Sequence, residues 1–410
     1  MRILHSADLH LGRSLEGRIR SQEQQEVLAE IVYLAEEKQV DLVLLAGDIY
    51  DGYNPSAEAE RLFYNFVKEL AKNSRAVVAI AGNHDQPERL AAAAPIAFEQ
   101  AIYLLGNPGQ LFFKEEPKRD RPWLKDCGAN WLNLAWPAED AAGDRVAKEA
   151  VILALPYASE ARLNQIIAVD LADEADSRSL YSRKIKEIWQ EAAGNFRPET
   201  VNLAMGHFFA VGGMESDSER QIAVGGSYGV SYDAFPPFAQ YVALGHLHRP
   251  QKLSAALVPC YYAGSPLAYG FGEMDQTKSV LLIDVLPGQE AQVETISLKS
   301  GYRLTEWQAK SVAEALSWCE IAANQNCWVN LTIDATEPLT ESETKALRQA
   351  HPRLLRIKAV LPEAERQERP DLSQLSLGDK FKLFVEAKTG AAPKDELVTL
   401  FLELLEEEEA

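Results

Sequence analysis

The chain has 410 residues, 47% of them hydrophobic, and a formal net charge of −20. It is long enough for two or three domains with a substantial core, and its acidic excess argues against a broad basic surface for binding a polyanion. Bound divalent metals or a basic partner subunit could offset this charge locally, although an acidic protein can also simply be soluble.

The N-terminus has no signal-peptide pattern, and no apolar run approaches the ~18 residues that span a bilayer. We therefore expect a cytoplasmic location. The four cysteines show no CxxC spacing, so neither a zinc knuckle nor a disulfide framework is indicated, and we expect free thiols.

The first part of the chain alternates between apolar runs and helical patterns. Strands are predicted over Arg2–Ala7, Asp41–Ala46 and Arg75–Ala81, with helices over Gln22–Glu37 and Ser56–Lys72 between them. This alternation predicts an α/β layer whose ligand-binding loops lie at the carboxyl ends of its strands. Further strands are predicted over Val151–Leu155, Val201–Met205, Tyr241–Leu244 and Ser279–Val285.

A domain boundary is predicted near residue 300. Beyond it, a β-α-β-α-β unit is predicted from the runs Tyr302–Trp307, Val312–Ala323, Trp328–Ile333, Glu341–Ala350 and Leu354–Val360. The polar, proline-bounded stretch PEAERQERP at residues 362–370 is typical of a linker. Two short amphipathic helices are predicted between Ser376 and Glu409.

Polar residues cluster where five of the predicted strands end. They are Asp8 and His10 in SADLHLG, Asp48 and Asp51 in GDIYD, Asn83, His84 and Asp85 in GNHD, His207 in GHF, and His246 and His248 in GHLHRP. Five of the seven histidines lie in these loops. Carboxylate, imidazole and amide ligands without thiolate are typical of manganese, iron or zinc sites.

This set of residues predicts two divalent metal ions. Two ions about 3.5 to 4 Å apart can share a hydroxide nucleophile, polarise a phosphoryl oxygen and stabilise an in-line displacement. One carboxylate must bridge the ions, and we predict that it is Asp48. The first ion would also bind Asp8, His10 and one histidine of GHLH, and the second Asn83, His207 and the other one.

The remaining polar residues are predicted to act around the ions. His84 would be free to meet the phosphate or to donate a proton to the leaving oxygen, with Asp85 holding its ring. Asp51 is expected beside the ligands. His5, inside the first strand, is expected to pack or to support a ligand, and His351 to lie on the surface.

Each motif alone is a weak signal, because GDxxD often caps a helix and a lone histidine at a strand end is more often structural than a ligand. The motifs DxH, GDxxD, GNHD, GH and GHxH in this order, each after an apolar strand, favour a metal site.

The same series resembles that of the calcineurin-like metallophosphoesterases. The stretches RILHSADLHLG, LLAGDIYD, IAGNHD, ALGHLHRPQ and YYAGSPLAYGFGE are more closely similar to the SbcD family, the nuclease subunits of bacterial SbcCD complexes. AGSPLAYGFGE discriminates best, because other phosphoesterases are not expected to carry it. The acidic segment after His207 is less typical of the family.

The resemblance implies an α/β fold in which a two-layer β-sandwich is flanked by helices, with a small α+β capping domain and a C-terminal helical tail. We expect the nuclease domain over residues 1–298, the cap over 299–361, a linker over 362–375 and a tail over 376–410. It also implies a manganese-dependent exonuclease on duplex ends and endonuclease on single strands or hairpins, and thus DNA as the partner.

The resemblance further implies a homodimer and an SbcC-like coiled-coil ATPase that binds the tail. The helices near Ser56–Lys72 and Leu90–Gln100 are the expected dimer contact, although ordinary core packing explains their apolar residues equally well. In the tail, one stripe contains Leu377, Phe381, Phe384 and Val385, and another contains Leu397, Val398, Phe401, Leu404 and Leu405. Such short helices must pack on something, either the ATPase or their own domain.

Two other functions compete with the nuclease. A small-molecule phosphodiesterase would use the same metal loops but would have no obvious use for the distal unit and the tail. A non-catalytic scaffold would be expected to have lost metal ligands, whereas every expected position is filled here.

Overall fold

The computed structural model describes residues 1–137, 148–159, 174–219, 229–361, 376–389, 393 and 397–402. The chain divides into two compact units. One unit comprises Met1–Glu306 and Ala322–Val329, and the other comprises Trp307–Ile321 and Asn330–Ala410. All of the predicted site residues lie in the first unit.

The first sheet has six strands, which are β1 (Arg2–Ser6), β2 (Leu42–Ala46), β3 (Ala76–Ile80), β4 (Ile102–Leu105), β12 (Ser279–Asp284) and β13 (Gln292–Ser297). Their order is β13-β12-β1-β2-β3-β4. Strands β1 to β4 are parallel, and β12 pairs antiparallel with both β1 and β13.

The second sheet has seven strands, which are β5 (Trp123–Gly128), β6 (Trp131–Trp136), β7 (Lys148–Leu155), β8 (Val201–His207), β9 (Tyr241–Gly245), β10 (Gln251–Lys252) and β11 (Cys260–Tyr262). Their order is β10-β11-β9-β8-β7-β6-β5. Strands β7, β8, β9 and β11 are parallel, so their carboxyl ends share one edge.

Helices cover the outer faces of both sheets. They are α1 (Ser21–Glu37), α2 (Ala57–Leu70), α3 (Pro87–Ala91), α4 (Ala94–Ala97) and α5 (Glu174–Ala193). The hydroxyl of Ser56 caps α2 by accepting the N–H of Ala59 at 3.2 Å. The predicted helix over Leu90–Gln100 is broken into α3, α4 and a 3-10 turn, because Pro95 cannot continue an α-helix.

The two sheets pack face to face and enclose the largest core. Leu42, Leu44 and Ala46 of β2 point into this core, together with Leu203 and Tyr241 of the second sheet. Val43 and Leu45 of the same strand point outward and pack under α1 and α2. Both faces of β2 are therefore buried, which explains its uninterrupted apolar sequence. The predicted two-layer sandwich flanked by helices is confirmed.

The distal part of the chain has the predicted succession of elements. It contains β14 (Arg303–Ala309), α6 (Val312–Cys319), β15 (Cys327–Asp334), α7 (Glu341–Ala350) and β16 (Leu354–Val360), and the strands form a sheet in the order β14-β15-β16. The prediction that His351 lies on the surface is wrong. His351 is fully buried at the end of α7, where its ring packs edge-on against Trp307.

The tail contains α8 (Leu377–Thr389) and helical residues 397–402. The rings of Phe381 and Phe401 stack at 4.0 Å, so the two helical segments meet at these residues. The predicted linker, residues 362–375, lies outside the described residues, as do residues 403–410. Within the described ranges no helix is both long and apolar enough to cross a bilayer. All four cysteines are free thiols, as predicted.

Candidate metal centre

The five polar loops meet at one edge of the sandwich. Strands β1, β2 and β3 of the first sheet and β8 and β9 of the second all end there. The sheets approach closely at this edge, because a side chain at Gly245 would place its Cβ 1.8 Å from the carbonyl oxygen of Ala46. A glycine is therefore required where the GHLH loop begins.

Several site residues adopt left-handed backbone conformations. Asp8 has φ 54°, His10 40°, Asp48 49° and His246 108°. Such conformations are costly for residues other than glycine, and they persist at functional sites where the surroundings hold them. Backbone hydrogen bonds of 3.0 Å from Asp8 N to Gly47 O and from His10 N to Asp48 O do so here.

The first group of donor atoms comes from Asp8, His10 and His248, whose ligand atoms lie within 4.8 Å of one another. The Nε2 atoms of His10 and His248 are 3.1 Å apart. Asp48 borders this group, with its Oδ2 atom 3.5 Å from His10 Nε2. All four side chains are buried. The group thus offers oxygen and nitrogen donors in one enclosed place.

Asp48 faces a second group with its other oxygen. Its Oδ1 atom is 3.4 Å from Nε2 of His207, and the same nitrogen is 2.9 Å from Oδ1 of Asn83. Oδ1 of Asn83 is also 3.1 Å from Nδ1 of His246. The structure therefore separates the two GHLH histidines, with His248 in the first group and His246 in the second.

The pairing of these atoms fits bound cations better than hydrogen bonds. Nδ1 of His207 faces the carbonyl oxygen of Ala46 at 2.8 Å, so it carries the proton of the neutral ring. Its Nε2 lone pair then faces the oxygens of Asn83 and Asp48, which are also acceptors. A cation, or a second proton on the ring, removes this conflict. The donor set and its arrangement fit divalent ions.

The electrostatics of the centre favour positive charge. Burial and the nearby carboxylate of Asp48 raise the pKa of Asp8 well above its usual range. Burial would also raise the pKa of Asp48, but His207 and His10 hold it well below its usual range. Burial would lower the pKa of His207, yet Asp48 and Asp8 raise it to about 9. A bound dication would offset the same carboxylates.

His84 lies beside the first group and is half-buried. Its ring is perpendicular to that of His10, with the centroids 4.6 Å apart. Its Nδ1 is 2.8 Å from the carbonyl oxygen of Asp51, and its backbone N–H donates to Asp48 at 2.9 Å. One ring nitrogen of His84 is near enough to His10 and Asp48 to join a ligand group.

The prediction that the carboxylate of Asp85 holds the ring of His84 is wrong. The buried carboxylate of Asp85 instead accepts the backbone N–H groups of Gly82, Ile49 and Tyr50 at 2.8 to 3.0 Å. These donors tie the GNHD loop to the GDIYD loop, so Asp85 holds the backbone and the Asp51 carbonyl orients the ring. Burial raises the pKa of Asp85 to about 6, and the charge of Asp48 adds to this rise.

The chain is similar in sequence to known proteins along its whole length. A model of the calcineurin-like phosphoesterase family matches residues 1–250. The SbcD component of the SbcCD nuclease of Bacillus subtilis (strain 168) is 41% identical, over 100% of both chains. The protein of the same name in Rhodobacter capsulatus is 34% identical and covers 70% of this chain and 67% of its own length. That of Escherichia coli (strain K12) is 28% identical and covers 93% and 92%.

The chain belongs to the calcineurin-like phosphoesterases, and among them to the SbcD family. The resemblance seen in the sequence is therefore confirmed, and with it the fold class and the enzyme class, a phosphodiester hydrolase.

The structure brings all of the predicted site residues to this edge, including Asp51, whose Oδ1 is 3.3 Å from Nδ1 of His10. His5 is buried and packed, with Nδ1 2.9 Å from the hydroxyl of Tyr241, one of the two outcomes expected for it.

Sequence reasoning missed the residues that surround His248. Nδ1 of His248 is 3.3 Å from Oε1 of Glu273 and 2.6 Å from Oγ of Ser218. Tyr269 packs edge-on against both His10 and His248, and its hydroxyl donates to the carbonyl of Leu9. Tyr269 and Glu273 lie in AGSPLAYGFGE, so the signal was present, but nothing in that stretch resembles a ligand motif.

Proposed function

We propose that this chain is the nuclease subunit of an SbcCD-type complex and that it hydrolyses phosphodiester bonds of DNA. One observation carries the chemical part of this proposal, the convergence of buried carboxylates, imidazoles and an amide on either side of Asp48. Membership of the SbcD family supports DNA as the substrate, because the relatives are named as nucleases.

Two divalent ions, manganese in the cell, are proposed to occupy the two groups. Asp8, His10, Asp48 and His248 would hold the first ion, and Asp48, Asn83, His207 and His246 the second. The assignment of the GHLH histidines follows from their distances, since His248 lies beside His10 and His246 beside Asn83. Manganese accepts such mixed oxygen and nitrogen ligands.

When bound, two such ions activate water for attack at neutral pH and offset the charge that develops on the phosphoryl oxygens. The remaining work is proposed for His84. Its Nδ1 faces a carbonyl oxygen, so Nδ1 carries a proton and Nε2 is the atom available to the substrate. With both ring nitrogens protonated, the Nε2–H group would donate to the phosphate or transfer its proton to the leaving oxygen, a contribution worth roughly 10²- to 10⁴-fold in rate.

The tail is proposed to bind an SbcC-like coiled-coil ATPase. It presents exposed apolar side chains at Leu377, Phe384, Leu397 and Leu400, although its two helical segments also pack on each other. Burial of these exposed apolar side chains against a partner protein would be energetically favourable. The proposed domains are the nuclease domain (1–298), the cap (299–361), the linker (362–375) and the docking tail (376–410).

A homodimer is also proposed, through the region of α2 to α4. The apolar stripe of α2 does not provide the contact, because Phe63, Phe66 and Leu70 are buried in the chain's own core. The exposed Ile96 of α4 remains available. The proposed location is the cytoplasm, because the enzyme has to reach DNA.

Cleavage assays with two substrates test the proposed function. Labelled hairpin DNA and a nitrophenyl phosphodiester are each incubated with the protein plus manganese, and with a chelator in place of the metal. We expect rapid manganese-dependent nicking of the hairpin, slower hydrolysis of the small ester and no activity with chelator. Efficient hydrolysis of the ester without cleavage of DNA would favour a small-molecule phosphodiesterase, and no hydrolysis of either would favour a scaffold.

A further inference from the structure

The segment AGSPLAYGFGE, residues 263–273, contains no proposed metal ligand, yet it wraps around His248. We propose that Glu273 of this segment is a positioning residue which, directly and together with Ser218, fixes the tautomer of His248 so that Nε2 is free to bind the first metal ion. This inference rests on the proposed metal centre. It names a residue that prepares His248 to bind the first of the two ions.

The fold delivers this segment to His248. Strand β11 runs parallel to β9, so the chain that follows β11 leaves the sheet at the same edge as the GHLH loop. Gly264 has φ 75°, and a Cβ there would lie 2.7 Å from the carbonyl oxygen of His248. The chain can thus pass close enough for the N–H of Ser265 to donate to that carbonyl at 3.1 Å.

Contacts other than those with His248 hold the side chain of Glu273 in place. It is 1% exposed and ends the 3-10 turn Phe271–Glu273. Its Oε2 accepts from the ammonium group of Lys278 and, at 3.3 Å, from the N–H of Tyr269. Lys278 also donates to the carbonyl oxygen of His248 at 3.0 Å. Oε1 of Glu273 is therefore left to face Ser218 and His248.

The directions of these hydrogen bonds set the tautomer. An ionised carboxylate only accepts, so the hydroxyl of Ser218 must donate its hydrogen to Glu273. Its oxygen then turns a lone pair towards Nδ1 of His248, 2.6 Å away. Both neighbours of Nδ1 are acceptors, so Nδ1 carries the proton of the neutral ring and Nε2 keeps its lone pair for the metal.

A glutamine at position 273 should reverse this order. The cation of Lys278 attracts the amide oxygen of the glutamine, which turns the NH₂ group towards Ser218 and Nδ1 of His248. The NH₂ group donates, so Nδ1 becomes an acceptor and the ring proton moves to Nε2. That proton would have to leave before His248 could bind the first ion.

Calorimetric titration with manganese chloride tests the consequence for the metal. Wild type, Glu273→Gln and the control Glu115→Gln are compared. Glu115 is also a little-exposed glutamate in an ion pair, with Arg121, but it lies far along the chain from the site loops. We expect two ions in wild type and in the control, and in Glu273→Gln a roughly 10- to 100-fold loss of affinity for one ion only.

The tautomer can be read without metal or activity from the ¹⁵N shifts of labelled histidines. We expect Nδ1–H for His248 in the metal-free wild type and Nε2–H in Glu273→Gln. Unchanged affinity together with an unchanged tautomer in that variant would overturn the inference. If wild type itself bound no manganese, the proposed metal centre would fail instead, and the tautomer would still report on Glu273.

Ser218→Ala provides a second variant in case Glu273→Gln does not fold. Glu273 remains an acceptor there, so His248 should keep Nδ1–H and affinity for one ion should fall by less than about tenfold. An Nε2–H tautomer in Ser218→Ala would show that the serine rather than Glu273 sets the ring, which also overturns the inference.

Discussion

The two halves of the metal centre hold their histidines in different ways. His207 of the second group is oriented by the carbonyl oxygen of Ala46, a backbone atom that strand β2 fixes. His10 and His248 of the first group instead face carboxylate oxygens, at 3.3 Å each. A backbone partner follows from the fold, whereas a carboxylate partner depends on one side chain. We infer that substitutions of Asp51 or Glu273 tune the first half, whereas the partner that orients His207 is a backbone atom that such side-chain substitutions leave in place.

Asp48→Asn should have the largest effect, because Asp48 touches both halves. An amide cannot offer an anionic oxygen to each side, so both ions should weaken by about 100-fold or more and cleavage should be lost. Calorimetric stoichiometry with manganese is the measurement. Loss of one ion only would show that Asp48 belongs to one half and does not bridge the two.

His84→Ala should abolish most DNA cleavage while both metal ions still bind. We expect two manganese ions at near wild-type affinity and a rate of hairpin cleavage lower by roughly 10²- to 10⁴-fold, because the contact to the phosphate or the leaving oxygen is gone. Calorimetry and single-turnover cleavage are compared on the same preparation. Loss of one ion would reassign His84 as a ligand of the first half, which its position beside His10 and Asp48 would allow.

The variants His10→Ala and His207→Ala test the two halves of the metal centre separately. Each should weaken one ion by at least about 10- to 100-fold and leave the other nearly unchanged, because each imidazole belongs to one group only. Competition titrations with a manganese-sensitive dye can separate the two affinities, and the double variant should lose both. Equal weakening of both ions in each single variant would mean that the halves are not independent.

His5→Gln should have the smallest effect on the metal centre and serves as a histidine control. Burial lowers the pKa of His5 to about 3, against about 6.5 in the unfolded chain. The unfolded state binds the extra proton between these values, so the wild type loses stability as the pH falls below about 6.5. A glutamine does not titrate, so about 2 kcal/mol less stability should be lost between pH 7 and pH 5.

Denaturant unfolding of wild type and His5→Gln at both pH values checks this prediction, and manganese stoichiometry should stay at two. An identical pH dependence in the two proteins would show that His5 is not the titrating group.

The sequence predicted the parts of the fold that follow from local pattern. Strands β1, β2, β3, β8, β9 and β12 are mainly apolar runs that end in polar loops. The metal motifs lie at the ends of five of them, β1, β2, β3, β8 and β9. The chemistry of the motifs and the order of the strands were enough to place the ligands at one edge. Which GHLH histidine joins which group depends on ring directions, and only the three-dimensional structure provides those.

Features that depend on distant contacts could not be predicted. His351 follows a polar helix and precedes a proline, which is typical of a surface turn, yet Trp307 of strand β14 covers it. Asp85 next to His84 suggested a contact between their side chains, whereas the turn directs the carboxylate to backbone N–H groups of the neighbouring loop. Glu273 is 25 residues from His248 and shares no motif with it.

Anomalous diffraction from a crystal soaked in manganese tests the two-ion centre most directly. We predict two manganese ions about 3.5 to 4 Å apart, with one oxygen of Asp48 on each, His248 on the first and His246 on the second. A single ion, or two ions of which only one touches Asp48, would contradict the account.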